Sequence, residues 1–133
     1  MTTYPTKEEI LKVPTMTNEI IEHTIKTWKK MCYEKQWKNK TKREKFNSLN
    51  LLAEMCGESI TVEEGTYSYN IKTRTIKIEV ENPSIISTLH EIGHALLGPN
   101  ELYACAWSTQ YFKLCFPKEY EKLKWEGHML RKK

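Results

Sequence analysis

The sequence predicts an α+β protein: N-terminal helices, a small and mainly antiparallel sheet, then a motif-bearing helix and C-terminal helices. Three observations carry this. Apolar residues recur at helical spacing through 17–37 and again through 41–57. Between 60 and 80 the period changes to two: Ile60 and Val62, then Tyr67, Tyr69 and Ile71, then Ile76, Ile78 and Val80. Beyond residue 82, two apolar segments are punctuated by Asn, Pro and Gly in the order that starts and stops helices.

Each element has its own signal. Thr6 and Glu9 are spaced as a capping box, which predicts a short helix over 6–12, ended before Pro14. From Thr17 to about Trp37, residues Ile20, Ile21, Ile25, Trp28, Met31 and Cys32 form an apolar stripe. A second capping box, Thr41 with Glu44, opens a helix whose Phe46, Leu49, Leu52, Ala53 and Cys56 face inward, and Gly57 closes it. The strands follow, with a turn at Glu64-Gly65. Asn82 suits an N-cap, Pro83 the first helical position and Gly98-Pro99 a stop, so a largely apolar helix fills the interval. Residues 100–116 are apolar nearly all round, which predicts a buried helix. Pro117 starts a last helix ending near Gly127. No repeat, low-complexity run or linker interrupts the chain, so 1–133 is expected to form one domain.

Composition narrows the function classes. The 133 residues are 39% hydrophobic and 29% charged, with a net charge of +4, as in ordinary globular proteins. No apolar run reaches membrane-spanning length, and 1–12 lacks the apolar core of a secretory signal. A cytoplasmic protein with no membrane partner and no prodomain is the expectation. Cys32, Cys56, Cys105 and Cys115 form no Cys-x-x-Cys pair, so reduced, buried thiols are expected. Lys38, Lys40, Lys42, Arg43 and Lys45 cluster beside Trp37, and Arg131, Lys132 and Lys133 end the chain. With 17 acidic residues interspersed, these read as solvated faces, and nucleic acid is not an expected partner.

The pentapeptide His90-Glu91-Ile92-Gly93-His94 points to chemistry. Helical residues four apart lie on one face, so His90 and His94 can offer two imidazoles to one metal ion. Glu91 sits beside them as a general base. Two neutral nitrogen ligands, an open position and a base are the working set of a zinc hydrolase. A third ligand is needed, and the chain contains no Asp, so an acidic ligand must be Glu. Glu101 is the best placed. Gly98 can turn left-handed, Pro99 blocks continuation, and Asn100 can cap a new helix whose first turn returns beside His94. The competing reading has Glu101 merely complementing the helix dipole, with His128, Glu126, Glu119 and Glu121 as rival ligands. The expected reaction is metal-assisted amide hydrolysis of a peptide or protein, Glu91 passing its proton to the leaving amine. Tyr103, Tyr111 and His128 are candidates for stabilising the oxyanion. The strand 76–80, or a neighbour at the sheet edge, could pair with an extended substrate. The alternative is a catalytically silent module that binds metal or another protein.

The run from Thr88 to Gly98, followed by Glu101-x-x-Ala104, resembles the gluzincin metallopeptidases. It is most similar to their small intracellular domains, including minimal gluzincins and the regulatory peptidase domains of phages and mobile elements. The resemblance covers about residues 59–115. It implies a zincin-like fold, zinc held by His90, His94 and Glu101, and Glu91 as base. The chain departs from the pattern in one respect. Glu101 follows His94 at a spacing short for most gluzincins and near that of metzincins. Leu97 and Asn100, however, stand where metzincins have a Gly and a third His.

Overall fold

The computed structural model describes residues 4–132. Among these it is α+β, with six α-helices, a three-stranded sheet and a two-stranded hairpin. Helix α1 (Lys7–Lys12) opens on the Thr6–Glu9 capping box as expected. Helix α2 (Glu19–Trp28) is capped by Asn18, whose side-chain oxygen accepts from the Ile21 N–H. It ends well before Trp37. The chain passes into a π-helical turn, Lys29–Tyr33, and then a 3-10 turn, Trp37–Asn39. Tertiary bonds hold this departure from the α path. The Trp28 indole N–H donates to the Ser48 carbonyl at 2.7 Å, and the Lys29 ammonium to the Cys115 carbonyl at 2.8 Å. Helix α3 (Lys42–Cys56) has the predicted Thr41–Glu44 box and buries Phe46, Leu49, Leu52, Ala53 and Cys56.

The sheet contains β1 (Thr61–Glu64), β2 (Ser68–Asn70) and β3 (Thr75–Ile78), in the order β1-β3-β2. β2 pairs antiparallel with β3, but β1 pairs parallel, Val62 opposite Ile76. The expectation of mainly antiparallel pairing therefore fails at β1–β3. Burial explains the order. Ile76 and Ile78 are fully buried, and the strand that carries them takes the middle, leaving the more exposed β1 and β2 at the edges.

Helix α4 (Ile85–Leu97) carries the motif. Its cap is Ser84, whose hydroxyl accepts from the Ser87 N–H, and not Asn82. The Tyr67 hydroxyl donates to the Asn82 carbonyl at 2.9 Å and accepts from the Ser84 N–H at 2.7 Å. That bracket holds Asn82 and Pro83 outside the helix. Helix α5 (Glu101–Cys115) is buried along most of its length, as the sequence predicts. Gly93 lets α4 and α5 approach closely. A Cβ there would stand 3.3 Å from both the Ala104 carbonyl oxygen and the Trp107 ring.

The helix expected from Pro117 to Gly127 stops early. Helix α6 (Pro117–Glu121) is one short turn, and strands β4 (Leu123–Glu126) and β5 (Met129–Lys132) form an antiparallel hairpin instead. The reason is local. Leu123 and Trp125 face inward while Lys124 and Glu126 face out, a period of two, and Gly127 takes φ +63° in a two-residue turn with His128. Arg131 and Lys132 lie in β5, whereas Lys133 lies outside the described residues.

Trp28, Leu49, Leu52, Ile78, Leu89, Ile92, Tyr111 and Phe116 are wholly buried, so one core joins α2, α3, the sheet, α4 and α5. All four cysteines are buried and free. Among the described residues no helix is long and apolar enough to cross a membrane.

Candidate metal centre

His90 and His94 lie one turn apart on α4, their ring centroids separated by 4.8 Å and their planes nearly perpendicular. Glu101, at the start of α5, reaches back between them. Its Oε1 is 2.5 Å from His90 Nε2 and 3.2 Å from His94 Nε2. The three donor atoms all fall within 4.8 Å of one another.

The reversal that brings Glu101 back depends on Gly98. Its dihedrals, φ +100° and ψ −168°, lie in a region open essentially to glycine, and not in the left-handed helical well the sequence suggests. Gly98 meets His94 twice: its N–H donates to the His94 carbonyl at 2.8 Å, and its carbonyl accepts from His94 Nδ1 at 2.9 Å. The second bond orients the ring and leaves Nε2 facing Glu101. Asn100 then caps α5 by accepting from the Tyr103 N–H. The His90 ring has a different neighbour. Its Nδ1 is 3.8 Å from the Cys105 thiol. Cys105 sits one turn beyond Glu101 on α5, so the i, i+4 spacing marks it in retrospect, although a lone cysteine carries no such signal by itself.

Electrostatics at the centre are strongly coupled to this geometry. Hydrogen bonds from His90 and then His94 hold the Glu101 carboxyl far below the usual carboxylate range. Burial pulls the His94 imidazole down, but its bonds to Glu101 and to the Gly98 carbonyl outweigh that, and its pKa is raised. Glu91 is only 7% exposed. Burial raises its carboxyl pKa, against the two imidazoles and with the Glu101 charge. It has no ion-pair or hydrogen-bond partner among the described residues. Burial pushes the Cys105 thiol up to about 12, so it stands beside His90 as a neutral group.

A cleft of about 460 Å³ opens over these residues. Helices α4 and α5 form its floor, Tyr67, Ser68, Glu79 and Asn82 one side, and the β4–β5 turn the other. At that turn His128 stacks on Tyr4, with centroids 4.2 Å apart. Of the three oxyanion candidates, only His128 lines the cleft. Tyr103 is exposed, and the buried Tyr111 hydroxyl accepts from the Asn18 N–H at 2.7 Å. Of the rival ligands, His128 lines the same cleft without joining the donor cluster, and the three glutamates lie outside both. Glu119 accepts from the Tyr33 hydroxyl, Glu126 pairs with Arg131, and Glu121 is exposed. Of the two options for substrate pairing, β3 is flanked on both sides, which leaves its neighbours at the sheet edges; of these, β2 is the one whose Ser68 lines the cleft. Within the basic cluster, Lys42 pairs with Glu81, Arg43 with Glu64, and Lys45 lies over the Trp37 ring.

The donor set fits zinc. Two imidazole nitrogens and one carboxylate oxygen form a common catalytic combination with an open fourth position. Tetrahedral ligands at ~2.0–2.2 Å from a metal lie roughly 3.3 Å from each other. The His94–Glu101 separation of 3.2 Å already meets this, the His90–Glu101 pair would open by less than the width of an atom, and the two imidazole nitrogens, within 4.8 Å of each other, would draw together. The chain matches no protein-family model, no curated protein and no solved structure.

Proposed function

We propose that this chain is a zinc-dependent metallopeptidase, a zincin-like domain of the small gluzincin type that hydrolyses peptide bonds. The observation that carries the reading is a convergence. His90, His94 and Glu101 bring three donor atoms within 4.8 Å of one another in the lining of an open cleft, which Glu91, without a partner among the described residues, also lines.

His90, His94 and Glu101 would hold the ion. When bound, zinc supplies Lewis acidity to a carbonyl and lowers the pKa of water towards neutrality. The chain's own residues supply the rest. Glu91 accepts a proton from the attacking water and delivers it to the leaving amine; its raised proton affinity and lack of a competing partner suit both transfers. The Gly98 carbonyl keeps His94 in the orientation the site needs. Cys105 fills the same place behind His90 with a softer contact. The free edge of β2 offers an extended peptide backbone hydrogen bonds along the cleft.

Glu91→Gln tests this. The carboxamide keeps the shape and cannot take a proton, so zinc content and thermal midpoint should match the parent. Hydrolysis of a denatured-protein or peptide library should fall by about 10²–10⁴-fold. A parent that binds zinc and cleaves nothing, or a variant that cleaves equally well, would refute the assignment.

A further inference from the structure

We infer that Glu79 is a specificity-determining residue of the cleft. It selects peptides that present a cationic nitrogen, either a lysine or arginine side chain or a free α-amine, next to the reacting bond. The inference rests on the proposed peptidase reading for its setting.

Glu79 follows the last residue of β3 and is partly buried in the cleft wall beside Tyr67, Ser68 and Asn82. It has no ion pair and no hydrogen bond among the described residues. Three of the cations nearby are committed elsewhere, and the side chain of Lys77, two residues back on β3, lies along Gly65. Glu64, opposite Ile78 on β1, engages Arg43, and Glu81 engages Lys42 at 3.0 Å. Across the cleft, Arg131 is held by Glu126 at 3.2 Å. The other two cleft carboxylates, Glu91 and Glu101, belong to the centre itself. Glu79 is therefore the one carboxylate of the lining that has neither a partner among the described residues nor a place in the centre. It lines the same cleft as His90, His94 and Glu101.

A carboxylate partly withdrawn from water gains by meeting a cation, and such charge-assisted bonds are the stronger class. A ligand cation supplies what the fold withholds, whereas an acidic or apolar group at the same place leaves Glu79 desolvated and alone. The cleft should thus discriminate by charge at one subsite.

The test measures binding, not turnover. Zinc-loaded Glu91→Gln protein is titrated with a matched peptide set in which each position carries Lys, Arg, norleucine or Glu, with the N-terminus either free or acetylated. Lys or Arg at one position, or the free amine, should bind about tenfold tighter than the neutral match. Acetylation removes the gain if the α-amine is the source, and norleucine removes it if the side chain is. Adding Glu79→Gln should abolish the preference, and adding Glu79→Arg should turn it towards Glu-containing peptides. Unchanged zinc content and thermal midpoint in both double variants show that the fold is intact. Equal binding across the charge series, no binding to any member of the set, or a cationic preference that survives Glu79→Arg would overturn the inference. Because no cleavage is read, a failure of the proposed hydrolysis shows separately, in the activity of the parent protein.

Discussion

Gly98→Ala isolates the backbone's contribution to the metal centre. Gly98 holds φ +100° and ψ −168°, and none of the described residues beyond its chain neighbours lies within 4 Å of where its Cβ would stand. The added methyl therefore meets no neighbour, and the substitution reads strain alone. An L-residue in that region costs roughly 1–3 kcal/mol. Alanine also removes freedom from the unfolded chain, which returns about 0.4–1 kcal/mol. The net loss is then roughly 0–2.6 kcal/mol, centred on about 1.3, or up to about 80-fold in an equilibrium constant. Where it appears depends on the response of the reversal. If the turn keeps its shape, the metal-free protein is destabilised and zinc affinity is unchanged. If the turn relaxes, His94 Nδ1 loses the Gly98 carbonyl, Glu101 moves off the imidazoles, and the loss appears in zinc affinity. Because binding to the folded state adds to stability, zinc-loaded protein is destabilised either way. Urea unfolding with and without zinc, together with competition against a chromophoric chelator, separates the two. Gly98→Asn should fare no better, because asparagine tolerates the left-handed helical well and Gly98 does not occupy it. Zinc-loaded Gly98→Ala protein as stable as the parent, with equal zinc affinity, would show that the reversal does not need glycine.

Elemental analysis should find one zinc per chain, lost in His90→Ala and in His94→Ala. It should be strongly weakened in Glu101→Ala but not in Glu119→Ala, Glu121→Ala or Glu126→Ala; a reversed pattern among the glutamates would move the third ligand. Protons compete at His94, whose metal-free pKa is raised above 6.5, while Glu101 stays ionised. Zinc affinity should therefore fall as pH drops through neutrality, with proton release on binding; a flat calorimetric response between about pH 8 and 6 would contradict this. For metal-free protein, the Glu101 contribution to stability is present above 4.5, its unfolded value, and is lost on acidification. The His94 contribution is full below 6.5 and lost as pH rises through its raised value, so metal-free stability should peak between these limits in urea titrations. Tyr111→Phe removes the acceptor of a part-buried hydrogen bond from the Asn18 N–H and should cost about 1 kcal/mol of stability while leaving kcat intact; a selective loss of kcat would return Tyr111 to the oxyanion candidates.

What was legible in the sequence is what short-range chemistry controls. Both capping boxes close over three residues, Asn100 caps α5 through the Tyr103 N–H, and the α3 stripe buries the residues its period marks. The i, i+4 spacing alone puts His90 and His94 on one face, and Gly98-Pro99-Asn100 alone announces a reversal that returns Glu101 to them. Gly127 and the alternation Leu123, Lys124, Trp125, Glu126 also encode the hairpin, although Pro117 makes the same stretch read as one helix.

Tertiary structure decided the rest, wherever a distant group competes for a local one. Tyr67 takes the Asn82 carbonyl and the Ser84 N–H, so α4 begins two residues later than its Asn-Pro signal, and Ser84 becomes the cap. The Ser48 and Cys115 carbonyls hold the end of α2 in a π turn. Burial of Ile76 and Ile78 puts β3 between β1 and β2 against chain order, and so leaves the edge beside the cleft to β2. The sequence carries the donors and the turn that gathers them, because those depend on neighbours a few bonds apart. It does not carry the wall across from them. Glu79 lies without a partner because Glu64 and Glu81 hold Arg43 and Lys42, a division of charges that exists only once remote strands and helices are packed.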